Sequence, residues 1–298
     1  MTTIDVCICT FRRASIAHAI TSIDAQDTPP GVSISIIVAD NDETPSAKDL
    51  IDTLASDIDT PITYVHAPAR NISIARNACL DTAKGDWVAF LDDDEVAPPN
   101  WLSDLLARAQ QGPFNVVFGT ARAQYDAGTP AWIIAQDYHS NVPETRGGVV
   151  QTGHTCNAMI ERAHPLIVNE RFRLDKGRTG GEDTEFFFRL WRKGAKLGIS
   201  DKATVYEPVD PKRLSFKWIM TRKYRSGISY GRHSEAQYTL LARAKLFSLA
   251  IAKIAYCALA ALVTLPMPSQ RNFWILRAGF HAGVASSTFN AREQELYG

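Results

Sequence analysis

An apolar run, Trp87 to Leu91, stops abruptly at three consecutive carboxylates, Asp92-Asp93-Asp94, with Glu95 behind them. A short run without polar interruption suits a strand buried on both faces, as in parallel sheets. In open α/β sheets, ligands bind outside the carboxyl ends of such strands. The run therefore predicts a parallel sheet with acid delivered to its binding edge. Side chains alternate along a strand, so Asp92 and Asp94 share a face and Asp93 points away. Two hard oxygen ligands so placed suit Mg²⁺ or Mn²⁺ shared with a substrate diphosphate. The same acids could instead cap a helix beginning near Pro99-Asn100. A calcium loop is excluded, because counting from Asp92 no Gly falls at the sixth position and no Glu at the twelfth.

The rest of the chain supports an α/β class. Ile4 to Cys9 reads as a first strand, with Thr10-Phe11-Arg12-Arg13 as its exit loop. Ile16, Ile20 and Ile23 mark a helix that ends before Pro29-Pro30-Gly31. Val32 to Val38 predicts a second strand ending in Ala39-Asp40-Asn41-Asp42; residues 45–56 a helix; Ile62 to Val65 a short strand; Asn71 to Lys84 a helix closed by Gly85. This alternation implies βαβ units, and parallel strands bring the loops at Thr10, Asp40 and Asp92 to one sheet edge. Beyond the acids, Asn100 to Gln110 predicts a helix, and Val116 to Phe118 and Cys156 to Ile160 predict strands. Residues 124–150 form a long, poorly periodic connection of the kind that makes lids or disordered segments. Gly177 to Gly181 links into a helix that starts at Glu182-Asp183 and runs to Lys193. From about residue 211 the chain turns basic and helical.

The 298 residues can bury a large core, with an appendage, and the overall charge is balanced. Its distribution is not. Residues 1–100 hold 16 acids and 6 bases, whereas residues 212–277 hold 12 bases and one acid, Glu235. The asymmetry suggests a carboxylate site early and an anionic surface or partner late. Five cysteines without metal spacing point to a reduced, cytoplasmic context, Cys7 and Cys9 being small core residues on one strand face. No basic segment followed by an apolar stretch opens the chain, so no signal peptide is expected.

Neither a P-loop nor a G-x-G-x-x-G follows the first strand. Gly227-Ile228-Ser229-Tyr230-Gly231 matches G-x-S-x-G, but it lies in a helix-like stretch, where a nucleophile elbow cannot form. What remains is a divalent-metal site on a sheet edge, suited to neutralising a leaving diphosphate. The ordered motifs V-C-I-C-T-F-R-R, I-I-V-A-D-N-D, N-I-S-I-A-R-N-A-C-L-D-T-A-K-G-D-W-V-A-F-L-D-D-D-E and G-G-E-D-T-E-F-F-F-R-L resemble glycosyltransferase family 2 over roughly residues 4–232. Within it, Val205-Tyr206-Glu207 with Pro211 and Arg213, then Tyr224-Arg225-x-Gly227, is similar to the succinoglycan-type exopolysaccharide glucosyltransferases of bacteria.

The resemblance implies a GT-A fold, a nucleotide-sugar donor, Mg²⁺ or Mn²⁺, inversion at the anomeric carbon, and no nucleic-acid partner. It implies that Thr10, Phe11 and Arg12 line the nucleotide pocket and that Asp40 contacts the base, where a carboxylate can accept from uracil N3. Arg76 faces the donor. Asp92 and Asp94 match the D-x-D positions, with Asp94 the first choice as metal ligand and Asp93 beside the donor. Asp183 matches the base, with Glu182 next to it. An inverting transfer is one displacement and needs one carboxylate to take the hydroxyl proton. It does not need the paired carboxylates of a retaining hydrolase. A helix N-terminus favours the ionised form of that base, although Glu182-Asp183 could equally be plain helix capping. Many family members carry a histidine downstream of the E-D motif. Here Tyr206-Glu207 stands there, and the Q-x-x-R-W signature of processive synthases is missing, which implies single additions. His154 and Asn157 are candidates for an acceptor floor, and Trp132 and Tyr138 for sugar stacking or lid packing.

The expected function is transfer of one hexose, glucose from UDP-glucose, onto a lipid-linked oligosaccharide in exopolysaccharide assembly. The alternatives are a non-catalytic sugar-nucleotide or glycan binder on the same fold, and a nucleotidyltransferase. The predicted organisation is a catalytic domain over 1–235 and a helical membrane-associated segment over 236–298. Leu246 to Pro266 is almost continuously apolar, near the roughly 20 residues that span a bilayer. Lys253 near its middle would cost roughly 2.5–3.5 kcal/mol in a centred span. A single crossing would also send Arg271, Arg277 and Arg292 outside. Arg222, Lys223, Arg225, Arg243 and Lys245 lie just upstream, where anionic lipid attracts each by about 1 kcal/mol. The segment is therefore expected to lie on or dip into the cytoplasmic face of the bacterial inner membrane, near a diphosphate-linked lipid acceptor. Gly227-x-x-x-Gly231 and Gly279-x-x-x-Gly283 would permit close helix packing.

Overall fold

The computed structural model describes residues 1–233 and 239–289. Glu235, and residues 236–238 and 290–298 of the predicted C-terminal segment, lie outside the described residues. Two compact units divide the described chain: residues 1–123 with 140–208, and residues 124–139 with 209–289.

The first unit is a seven-stranded sheet in the order β3-β2-β1-β4-β6-β5-β7. The strands are β1 (Thr2–Thr10), β2 (Val32–Asp40), β3 (Ile62–His66), β4 (Trp87–Asp92), β5 (Val116–Gln124), β6 (Asn157–Glu161) and β7 (Leu197–Pro208). Its helices are α1 (Ile16–Asp24), α2 (Lys48–Asp57), α3 (Ile72–Thr82), α4 (Trp101–Gln110) and α6 (Glu182–Arg192). The βα half is parallel, as the alternation predicts: β1 pairs with β2 and β4, and β2 with β3. The register sets Thr10 opposite Asp40, Cys9 opposite Asp92, and Asp40 opposite His66. The three loops therefore do share one edge.

Alternation divides the core between the two faces of the sheet. Ile4, Val6, Ile8, Ala89 and Leu91 pack with α1, α2 and α4. Cys7, Ile37, Val88 and Phe90 pack with α3 and α6, where partly buried Cys9 also lies. Phe186 and Phe187 of α6 are fully buried, which stabilises the fold by about 1.5–3 kcal/mol each. Phe186 stacks on Phe172 with centroids 4.1 Å apart. All five cysteines are free.

The second half of the sheet departs from the parallel pattern. β6 runs antiparallel to both β4 and β5. β7 was not anticipated as a strand. Exposed Asp201 and Lys202 interrupt its buried positions, so it lacks period-2 alternation. Its end bridges Val96, just past the acids, through Val96 N–H to Tyr206 O (2.8 Å) and Tyr206 N–H to Val96 O (2.9 Å).

The second unit holds α5 (Ala131–Ile134), α7 (Phe216–His233), α8 (Leu240–Val263) and α9 (Pro268–Ser287). The glycine pairs mesh α7 with α9. A Cβ at Gly227 would stand 1.9 Å from the Phe280 carbonyl oxygen, and one at Gly283 2.0 Å from that of Tyr224. The G-x-S-x-G string thus lies inside α7, where no elbow exists. Trp132 and Tyr138 sit edge-on to one another and pack around Ile133, Ile219 and Leu276. α8 is long and apolar enough to cross a membrane, and Leu240, Leu241, Tyr256, Leu259, Leu262 and Val263 are exposed.

Candidate active site

The carboxyl edge of the parallel strands carries the predicted acids, and each has a different environment. Asp93 is buried and cross-ties two exit loops. Its Oδ2 accepts from the Thr10 hydroxyl (2.8 Å) and its Oδ1 from Arg13 Nη1 (2.8 Å). The same Arg13 nitrogen donates to Asp94 Oδ2 at 2.6 Å. Among the described residues, none donates a hydrogen bond to the Asp92 carboxylate. Burial pushes Asp92 up to about 7; Arg76 opposes the rise, and Asp94, Asp93 and Glu207 add to it. Glu95 is buried within the same turn and accepts from Asp92 N–H at 2.9 Å. Burial, then the charge of Asp92, holds it well above the carboxylate range.

This crowding fits a dication, which would relieve the repulsion around Asp92. Among the described residues, no three His, Cys, Asp or Glu side chains gather closely enough to enclose one. The donor set is therefore open, of the kind Mg²⁺ uses when substrate phosphates supply the remaining oxygens. Glu207, where many family members carry a histidine, contributes charge to this edge without completing a three-residue site.

The nucleotide-side residues lie next to these acids. Arg12 has a φ of +55°, lies over the Phe11 ring (5.3 Å) and donates from Nε to Asp42 at 2.8 Å. Asp40 is fully buried. It accepts from Asp42 N–H (3.1 Å), Ala47 N–H (2.9 Å) and the Tyr64 hydroxyl (2.9 Å). Its carboxylate thus orders the loop that carries Asp42, and its burial leaves a base no direct access in this conformation.

A second group forms where α3 meets α6. Asn71 caps α3 by accepting from Ser73 N–H (3.1 Å) and donates from Nδ2 to the Leu174 carbonyl (2.9 Å). A Cβ at Gly177 would fall 1.8 Å from Asn71 Oδ1, so glycine permits this approach. Gly181, at φ +84°, then turns the chain into α6. The result pairs buried Arg76 with buried Glu182, whose Oε2 has no hydrogen-bond partner. Arg76 is held in its charged form. Burial works against the charge, but Glu182, Asp183 and Asp92 together outweigh it, so the arginine lies between both acid groups.

Asp183 is the ionised member. Burial raises its proton affinity, but His154, Arg76 and the Thr184 N–H overcome that and hold it well below the carboxylate range. Glu182 is the reverse case, raised because burial outweighs Arg76. Asn157 is not available as an acceptor floor. Its Oδ1 accepts from Trp101 Nε1 (2.8 Å), and its Nδ2 donates to the Thr120 (3.1 Å) and Ala203 (3.0 Å) carbonyls. Sequence reasoning assigned no role to Arg13, Tyr64 or Glu95; the doubled arginine after β1 was the available signal for the first.

The model for "Glycosyl transferase family 2" matches residues 5–164. The chain is 41% identical over 295 residues to the Succinoglycan biosynthesis protein ExoM of Rhizobium meliloti (strain 1021), covering 99% of this chain and 96% of that protein. It is 25% identical over 241 residues to a glucosyl-dolichyl phosphate glucuronosyltransferase of Haloferax volcanii, covering 76% and 75%. It is 33% identical over 125 residues to the GalNAc(5)-diNAcBac-PP-undecaprenol beta-1,3-glucosyltransferase of Campylobacter jejuni, covering 40% and 38%. Among solved structures, the mannosyltransferase PcManGT from Pyrobaculum calidifontis, in complex with GDP-Man and Mn²⁺, superposes with a TM-score of 0.65 at 17% identity, over 97% of this chain and 88% of that one. That likeness shows the GT-A fold.

Proposed function

The chain belongs to glycosyltransferase family 2, and we propose that it transfers one glucose from UDP-glucose, with inversion, onto a lipid-linked oligosaccharide during exopolysaccharide assembly. The observation that carries this reading is the pairing of one ionised carboxylate, Asp183, with the crowded acids around Asp92 across a shared arginine, Arg76. A binder needs the second group but not the first. The succinoglycan relative supports the exopolysaccharide setting. The names of the two more distant relatives, with their dolichyl and undecaprenol carriers, support a lipid-linked acceptor.

Asp92 and Asp94 would hold the divalent ion, which would supply Lewis-acid neutralisation of the leaving diphosphate. Thr10, Phe11 and Arg12 line the nucleotide pocket, with the loop ordered by Asp40 behind them. Asp93 keeps the two exit loops together. Glu182 fixes Arg76, whose charge favours anionic groups at this edge. Asp183 takes the acceptor proton. The acceptor O–H bond breaks as its oxygen bonds to the anomeric carbon, and the bond to the diphosphate breaks with its electron pair leaving on UDP.

The exposed apolar α8 and the basic residues of the second unit support a position on anionic lipid at the cytoplasmic face of the inner membrane. A thermal-shift panel of UDP-, GDP- and dTDP-sugars with Mn²⁺ tests the donor. UDP-glucose at about 100 times its Kd should stabilise by about 2.7 kcal/mol, and Asp94→Ala should remove the metal-dependent part. A shift with GDP-mannose and none with UDP-sugars rejects the glucose donor. Release of UDP in the presence of a membrane acceptor separates transfer from binding, and diphosphate formed from a nucleoside triphosphate would instead identify a nucleotidyltransferase.

A further inference from the structure

The base carboxylate has a neighbour that the transfer chemistry alone does not call for. Asp183 Oδ1 accepts from Thr184 N–H (2.6 Å), and its Oδ2 faces His154 Nδ1 at 2.9 Å. His154 comes from the loop before β6. Two residues earlier, the Thr152 hydroxyl donates to the Thr184 carbonyl at 2.8 Å. The loop is thus tied twice to the first turn of α6. The ring is 45% exposed, whereas the Asp183 side chain is 15% exposed. Solvent therefore reaches the imidazole more readily than the carboxylate it holds.

We propose that His154 is the positioning residue of the Asp183 base: its Nδ1–H fixes Oδ2, and its charge state sets how strongly Asp183 can take the acceptor proton. The proposal rests on the reading of Asp183 as that base. An ionised carboxylate at hydrogen-bond distance from Nδ1 requires the proton to be on that nitrogen. A neutral ring then orients the carboxylate without weakening it. An imidazolium adds a full charge, lowers the proton affinity of Asp183 and makes it a poorer base. Arg76 of α3, Glu182 of α6 and Cys156 beside β6 also face the pair, with Asp92, Glu95 and Glu207 around Cys156. Arg76 keeps its charge throughout, and burial keeps the Cys156 thiol protonated. Asp92, near 7, titrates in the same range as an ordinary imidazole. For that reason a comparison between variants, rather than the wild-type profile alone, isolates His154.

The experiment compares full-length wild type, His154→Ala and His154→Asn. UDP release from UDP-glucose is measured with Mn²⁺ and a membrane extract carrying the lipid-linked acceptor, across about pH 5.5–8.5, the range in which histidine changes charge. His154→Ala should lower kcat roughly 10²-fold, the cost of a misplaced reacting group, with donor KM within about twofold. His154→Asn, whose amide N–H can stand where Nδ1–H does, should recover at least about a tenth of wild-type kcat while losing the His154 part of the acid limb. A His154→Ala enzyme with wild-type kcat and acid limb overturns the proposal, as does an asparagine variant no better than alanine.

Nitrogen NMR of labelled histidine rings supplies a readout without substrate, with His154→Asn giving the assignment. The neutral ring should carry its proton on Nδ1 and titrate at lower pH in Asp183→Asn than in wild type. A ring protonated on Nε2, or a titration indifferent to Asp183→Asn, overturns the proposal. A wrong donor or acceptor would silence wild type in the transfer assay and leave the NMR result standing, so the two failures are distinguishable.

Discussion

Replacing Arg76 with methionine tests the buried pair at the centre of the site. Methionine keeps most of the aliphatic volume and removes the charge. Arg76 is buried, donates to Glu182 and lies 5.6 Å from the Phe172 ring centroid. Glu182 is equally buried, and its second oxygen already lacks a partner. Without the arginine, Glu182 is an uncompensated buried charge, a loss of about 3–5 kcal/mol. At about 2–4 °C per kcal/mol for a domain of this size, Tm should fall by roughly 6–20 °C. The deficit depends on pH in a defined direction. Burial already raises Glu182, and losing Arg76 raises it further. A group raised in the folded state contributes stability below its unfolded value, near 4.3, and loses it as pH rises through the folded value. The variant should therefore come closest to wild type near about pH 4–5 and fall furthest behind near about pH 8. Adding Glu182→Gln removes the stranded charge and should restore most of the loss. Calorimetric or dye-monitored melting at both pH values measures this. Equal destabilisation of the single and double variants, or a deficit indifferent to pH, refutes the reasoning.

Asp183→Asn should lower kcat about 10²–10⁴-fold while leaving the UDP-glucose thermal shift with Mn²⁺ in place, and near-normal transfer by the folded variant shows that the base lies elsewhere. Gly227→Ala forces a methyl group against the Phe280 carbonyl and should destabilise the α7–α9 contact by about 1–3 kcal/mol, whereas an unchanged melting curve means the helices separate without cost. Full-length protein should float with anionic liposomes and less so in high salt, because basic attraction is screened. A protein that stays soluble and monomeric without detergent and ignores those liposomes excludes the membrane role.

The parallel half of the fold was legible because its signals are local. Each strand there is a short apolar or β-branched run closed by a polar loop, and the helices between them carry their own periodicity. The other half is built from contacts distant in sequence. β7 becomes a strand by joining the sheet beside β5 and bridging Val96, more than a hundred residues away. Its Asp201-Lys202 interruption hides that from any pattern within the segment. Residues 124–150 read as one connection, yet they divide. Residues 124–139 join α7 and α9 through Ile133, whereas Asn141 bridges back to Ala121 in the sheet unit. Aromatic residues in an aperiodic stretch say that it packs somewhere, not where.

The site shows the same limit more sharply. Asp92, Asp93 and Asp94 are three identical letters. Strand alternation would set the middle one apart, but β4 ends at Asp92, and Asp93 and Asp94 lie in the turn beyond it, where one Arg13 nitrogen reaches both. Alternation cannot say what reaches each of them. Asp93 is tied by Thr10 and Arg13, about eighty residues upstream, and that tie commits it to holding two loops together. Asp94 shares the Arg13 nitrogen, so a ligand at Asp94 must compete with an internal cation. Asp92 has neither contact. Burial raises it, Arg76 from α3 opposes the rise, and Asp94, Asp93 and Glu207 from β7 add to it, which leaves it near 7. Glu182 and Asp183 repeat the case. They are adjacent acids in one helical turn, driven in opposite directions because burial outweighs Arg76 at Glu182, whereas at Asp183 the histidine adds to the arginine and together they outweigh burial. Proton affinity is set by burial and by charges brought in from elsewhere in the fold. A motif can therefore locate the acids of such a site, whereas their division of labour is decided by the residues that fold against them.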